Sequence, residues 1–152
     1  MASDCTAAAE DPRGPAPNYT CDFEERPDGT FIWHASLVLF RYLQEPARAR
    51  AFKGKRILEL GSGLGHLGHS LARLGAHITC TDQKKCLPIL EASLKELSVL
   101  NGTPEEVGGS IRAVELNWGE DSEAVAAGTE AGSDSSYDFI ISAELVYLED
   151  PF

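Results

Sequence analysis

"ILELGSGLGHLG", Ile57 to Gly68, is the stretch on which the fold turns. A short apolar run enters a cluster of glycines and then a helical pattern, the strand-turn-helix opening of a ligand-binding α/β unit. Glycines there let the backbone turn sharply and approach a ligand, and the helix that follows aims its first N–H groups at the same place.

Outward from that loop the α/β pattern continues. "RILEL" is the first strand, "LGHLGHSLARLGA" a short helix stopped at Gly75, and "HITCTD" a second strand. "KKCLPILEASLKELSVLNG" follows as a helix in which Leu87, Leu90, Leu94, Leu97 and Leu100 recur at steps of three or four, and Asn101-Gly102 ends it. "SIRAVELNWG" reads as a third strand, "EDSEAVAAGTEAGSDSS" as a short helix and polar loop, and "YDFIISAELVY" as a fourth strand. Strands alternating with helices predict parallel pairing through right-handed crossovers, hence a doubly wound, Rossmann-like α/β sheet.

Before the sheet, "TFIWHASLVLFRYLQ" reads as a helix with a broad buried face, entered from the turn signal "RPDG" and limited by Pro46. Residues 1–20, rich in Ala, Pro, Asp and Glu, are expected to be a disordered leader, leaving one domain over 21–152.

Composition narrows the function. A net charge of −11, with 13 basic residues against 24 acidic ones, disfavours nucleic acid as a partner, which needs clustered Lys and Arg. Neither a signal peptide nor an apolar membrane span is legible. Cys5, Cys21, Cys80 and Cys86 form no C-x-x-C pair, so reduced thiols in the cytoplasm or nucleus are the expectation, and the chain is read as a monomer.

Two glycine spacings coexist in the loop. Glu59 with Gly61, Gly63 and Gly65 gives the E-x-G-x-G-x-G of an S-adenosylmethionine site, whereas Gly63, Gly65 and Gly68 give the G-x-G-x-x-G of a dinucleotide site. Asp82, about twenty positions on at the end of the second strand, suits the ribose hydroxyls of either ligand, or caps the next helix. Glu59 separates the two readings by charge. A carboxylate near the end of a buried strand needs a cation or donors; S-adenosylmethionine carries an ammonium and a sulfonium, while a pyrophosphate would be repelled.

Further along, Trp118 in "LNWG" and Trp33 in "FIWHAS" could pack on an adenine or simply join the core. Glu144 and Tyr147 in "SAELVY", three apart, could set a carboxylate and a phenol at the mouth of the crevice. A carboxylate orients an amine or accepts its proton, and aromatic rings attract ammonium groups.

From roughly Thr30 to the end, the order "FIWHAS", "ILELGSGLGHLG", "TCTD", "LNWG" and "SAELVYLEDPF" resembles the seven-strand S-adenosylmethionine-dependent methyltransferases, specifically the protein-lysine group often called family 16 or the methyltransferase-like 21 group. The resemblance implies methyl transfer to a lysine amine of a protein substrate. It implies donor contacts at Trp33, Gly61, Ser62, Gly63, Asp82, Trp118 and Ala143, and puts Glu144 and Tyr147 at the substrate-lysine end. The chain departs from the pattern at His34 and Glu144, where the family usually has Asp, and at the variable Asn117. Family members continue through three more strands, so a fragment, splice product or incomplete gene model is expected, with "FII" of the fourth strand left as an apolar edge. The competing readings are a nicotinamide-dependent oxidoreductase on the second glycine spacing and a truncated, non-catalytic donor-binding or interaction module.

Overall fold

The computed structural model describes residues 23–25, 31–119 and 136–145. The expected leader, residues 120–135 of the expected helix and polar loop, and Tyr147 lie outside them.

Among the described residues four parallel strands form the central sheet: β3 (Arg56–Leu60), β4 (His77–Asp82), β5 (Ser110–Glu115) and β6 (Phe139–Ser142). They are the four expected strands: β3 and β4 keep the expected bounds, while β5 and β6 end earlier than expected, where a loop takes over. The order β5-β4-β3-β6 builds outward from β3 in one direction and then reverses, which is the doubly wound topology. A crevice for ligands therefore opens beyond the carboxyl ends of β3 and β6.

Register assigns the faces. Ile57 and Glu59 of β3 lie beside Ile78 and Cys80 of β4, and all four side chains point toward the helices. The core gathers there: Ile57, Ile78 and Cys80 meet Leu67, Leu71 and Ala72 of α3 (His66–Ala72) and Leu90, Leu94 and Leu97 of α4 (Leu87–Asn101). Gly68 makes the approach of α3 possible, since a Cβ on it would lie 2.5 Å from Cys80 Sγ and 2.6 Å from a Glu59 carboxylate oxygen.

The leucine periodicity of α4 holds only in part, because Leu100 is exposed. Each residue turns about 100° around the helix, so the consecutive steps of three from Leu94 to Leu97 to Leu100 drift off the buried stripe. At its N-terminus the helix starts at Leu87, after a 3₁₀ turn at Lys84–Cys86.

The segment read as one leading helix divides. Phe31–Trp33 is strand β2, paired antiparallel with β1 (Phe23–Glu25), and helix α1 runs from His34 to Leu43. Three β-favouring residues, Phe-Ile-Trp, prefer the pleat when a partner strand is available, a tertiary circumstance invisible to periodicity. Pro46 marks the limit as expected and also opens an unanticipated helix, α2 (Pro46–Phe52), at whose first turn its missing N–H is harmless. Phe52 of α2 meets Phe139 edge to face with centroids 5.1 Å apart. Asp138 fixes the start of β6 by accepting the Arg56 backbone N–H at 2.8 Å and Lys55 Nζ at 2.7 Å. Ile140 of β6 is 66% exposed.

Candidate functional site

A cleft of about 570 Å³ lies at the carboxyl ends of the parallel strands, at the reversal point of the sheet. Trp33, Glu59, Gly61, Ser62, Gly63, Asp82, Trp118, Ala143 and Glu144 all line it. These residues are spread over more than a hundred positions of sequence, and only the sheet brings them together.

The glycine turn forms its base and is tied to β4. Ser62 donates its N–H to the Thr81 carbonyl at 2.9 Å, and its hydroxyl accepts the Thr81 N–H at 3.1 Å. Asp82 accepts the Gly63 N–H at 2.9 Å through one oxygen and the Gln83 N–H at 2.8 Å through the other. The carboxylate thus bridges two loops, and the 3₁₀ turn behind it begins without a side-chain cap. Gly65, at φ 72°, turns the chain into α3 in the left-handed region that disfavours side chains.

Trp33 stands where β2 becomes α1, and Ser36 anchors that junction by donating its hydroxyl to the Trp33 carbonyl at 2.8 Å. Trp118 does not close a strand. β5 stops at Glu115, and the indole, 46% exposed, belongs to the loop beyond. A residue on a loop can lean over a ligand, whereas one within the pleat is fixed by the register.

β6 likewise ends at Ser142, and the chain bends at Ala143 and Glu144. Leu145 then folds back against Gly61, so closely that a Cβ at Gly61 would collide with it. Glu144 has φ 61°, alone among the described non-glycine residues in a positive-φ conformation. One of its carboxylate oxygens is buried without a hydrogen-bond partner. Strained backbone and an unsatisfied buried acceptor both cost free energy.

Glu59 is the most deeply buried of these acids, at 3% exposure. Its carboxylate accepts from Cys80 Sγ at 3.3 Å and from the Gly68 N–H in the first turn of α3. Burial pushes its pKa up to about 7, with the negative Asp82 adding to the rise and the Cys80, Ser62 and Gly68 hydrogen bonds offsetting part of it. The donors it needs come from the neighbouring strand and helix. Burial, with Glu59 next in weight, raises the Cys80 thiol well above its ordinary range, so it stays neutral.

Sequence reading passed over several wall residues, including Ser36, His66, Gln83, Lys85 and Cys86. Gln83, Lys85 and Cys86 follow Asp82 directly and could have been found from that adjacency. His66 occupies the first helical position after Gly65, a signal of the same kind. Among the described residues no group of three or more His, Cys, Asp or Glu could hold a metal, and no helix is long and apolar enough to cross a membrane.

The model of a family described as lysine methyltransferase matches residues 22–152. Over 121 residues, 80% of this chain and 49% of the relative, the chain is 35% identical to the protein N-lysine methyltransferase METTL21A of Danio rerio. It is 32% identical over 121 residues to EEF1A lysine methyltransferase 3 of Xenopus tropicalis, covering 80% of this chain and 46% of that one. It is also 32% identical to METTL21A of Mus musculus, covering 80% and 49% respectively. The chain spans about half the length of the curated relatives it matches.

Proposed function

The chain belongs to the lysine methyltransferase family, and from that premise we propose that it transfers a methyl group from S-adenosylmethionine to the side-chain amine of a lysine in a protein substrate. The observation that carries this reading is Glu144, with its unsatisfied buried oxygen and left-handed backbone at the wall of the glycine-loop cleft.

The cleft fits such a donor. Gly61, Ser62 and Gly63 offer close backbone approach, Asp82 retains lone pairs for ribose hydroxyls beside its two backbone bonds, and Trp33 and Trp118 supply aromatic faces. Ala143 contributes a small surface beside them. When bound, the donor supplies an electrophilic methyl on a sulfonium. Glu59 and Glu144 are carboxyl groups on the cleft wall, a chemistry suited to cationic groups. A dinucleotide would bring its pyrophosphate against the same carboxylates, which disfavours the oxidoreductase reading.

Glu144 accepts hydrogen bonds from the incoming ammonium and orients it, and the acid-x-x-Tyr resemblance assigns Tyr147 to the same substrate-lysine end. Only the neutral amine has a lone pair to attack, so the ammonium loses its proton to Glu144 or through it to water. Catalysis rests mainly on holding amine and methyl in line away from bulk water. Free thiols at Cys80 and Cys86 suit a reducing compartment, cytoplasm or nucleus, where we place the activity of a monomer.

The test is incubation of the protein with labelled methyl donor and cell lysate, followed by mass spectrometry of the labelled residues. Label on protein lysines supports the reading. Label on histidines alone overturns the acceptor, and donor binding without any transfer supports a binding module instead.

A further inference from the structure

Basic residues are not spread evenly over this acidic chain. Residues 41–56 hold Arg41, Arg48, Arg50, Lys53, Lys55 and Arg56, six of the 13 bases, with Glu45 as the one acid; seven bases face 23 acids in the rest. The stretch runs from the last turn of α1 through α2 to the first residue of β3. It therefore lies at the amino ends of the parallel strands, where the Lys55 carbonyl accepts the N–H of His77, the first residue of β4, at 2.8 Å. The cleft opens at the other end of β3, about 17 Å away along the strand.

Local acids answer only some of these charges. Glu45 pairs with Arg48, and Asp138 with Lys55 at 2.7 Å. Arg41, Arg50 and Lys53 are exposed and form no ion pair among the described residues. Arg50 donates its Nε to the Pro46 carbonyl at 2.9 Å, which lays the side chain along α2 and leaves its Nη groups as donors. On the same segment Tyr42 is 50% exposed, with the Arg48 guanidinium 3.7 Å from its ring centroid. Cations in a last turn also suit the helix dipole, which accounts for Arg41 and Arg50 but not for the continuation into Lys55 and Arg56.

We propose that this basic surface around α2 is an accessory docking site for an acidic stretch of the protein substrate, remote from the lysine that receives the methyl group. The proposal rests on the methyl-transfer reading above and adds a substrate class to it: proteins with a carboxylate-rich segment away from the target lysine. Guanidinium forks match carboxylates in paired hydrogen bonds. Screening over about 8 Å at physiological ionic strength confines each field, so a local cluster attracts carboxylates although the whole molecule is acidic. The same net charge favours a peptide over nucleic acid, because a polyphosphate would run from the basic stretch onto acidic surface. A second point of attachment raises the local concentration of substrate and leaves the chemistry in the cleft unchanged.

Fluorescence anisotropy with labelled oligoglutamate reads the surface directly. The parent should bind it, with affinity falling about tenfold between about 50 and about 200 mM salt. Arg41→Glu/Arg50→Glu/Lys53→Glu should lose that binding, while its S-adenosylmethionine affinity by calorimetry matches the parent. Should this variant fail to fold, Arg50→Gln/Lys53→Gln decides, with a loss of several-fold expected. Tighter binding of oligothymidylate than of oligoglutamate assigns the surface to nucleic acid and overturns the proposal. Self-association of the parent that the variant loses on sedimentation assigns it to a second copy, with the same consequence. In methyl transfer to lysate proteins, the charge-reversed variant should label slowly at low lysate concentration and reach the parent's rate at high concentration, and added oligoglutamate should slow the parent alone. Equal labelling by parent and variant at every concentration overturns the substrate role. A parent that labels lysines but binds no oligoglutamate refutes this proposal alone; a parent that labels nothing removes the methyl-transfer reading, and the substrate role with it.

Discussion

The Asp82 carboxylate accepts the Gly63 N–H at 2.9 Å, so the end of β4 and the tip of the glycine turn are a single mechanical unit. The same carboxylate holds the Gln83 N–H, which begins the chain toward the 3₁₀ turn of the cleft wall. Shape on both sides of the cleft is set by one side chain.

Asp82→Ala should therefore weaken S-adenosylmethionine binding by about tenfold to a hundredfold, since hydrogen bonds to a charged acceptor contribute about 1.5 to 3 kcal/mol each. Asp82→Asn, which keeps one acceptor oxygen, should fall between Asp82→Ala and the parent. Calorimetry at fixed pH measures both, and unchanged affinity in Asp82→Ala would refute the role.

Glu144 separates stability from activity. A left-handed conformation costs a non-glycine residue about 1 to 2 kcal/mol, which glycine avoids. Glu144→Gly should be more stable toward urea than Glu144→Ala by about 1 kcal/mol, while both lose methyl transfer by about a hundredfold or more. Equal stability of the two variants would mean that the φ of 61° stores no strain.

For Glu59 the folded pKa is raised above the unfolded one, so the native state holds this proton more tightly. Its contribution to stability is complete below the ordinary carboxylate range and is lost as pH rises through about 7. Glu59→Gln should match the parent near pH 4 and exceed it at pH 8 by about 3 kcal/mol. Urea unfolding of both proteins at the two pH values reads the difference directly; a gap that is the same at both would contradict the assignment.

Gly68→Ala opposes two effects. Helix propensity favours alanine by about 1 kcal/mol, but the new Cβ would sit 2.5 Å from Cys80 Sγ and 2.6 Å from the Glu59 carboxylate. Overpacking of a filled core costs about 1 to 3 kcal/mol, and these contacts call for its upper end. Net destabilisation of about 1 to 2 kcal/mol should appear as a lowered urea midpoint. Any stabilisation would show that α3 can move off the sheet.

How much was legible in the chain depends on the range of the interaction. The glycine turn, the four strands and the α3 and α4 helices are local patterns of spacing and apolar periodicity, and they could be read without a structure. The β1–β2 pairing could not, because Phe31–Trp33 becomes a strand only when Phe23–Glu25 lies beside it. Leu100 misled in the opposite sense: its spacing continued the stripe, but the rotation of the helix carried it to the surface. Gln83, Lys85 and Cys86 were passed over because wall membership depends on how the turn after β4 leans over the cleft.

The sequence by itself determined the order of elements and the residue types available to the cleft. Those follow from propensities and charges that belong to each residue. Only the tertiary structure decided the state of those residues: that Glu59 is buried under α3 near its neutral form, that Asp82 is spanned by two backbone N–H groups, and that Glu144 keeps an unanswered oxygen. Each depends on desolvation and on partners brought from distant positions, and these exist only once the sheet has assembled.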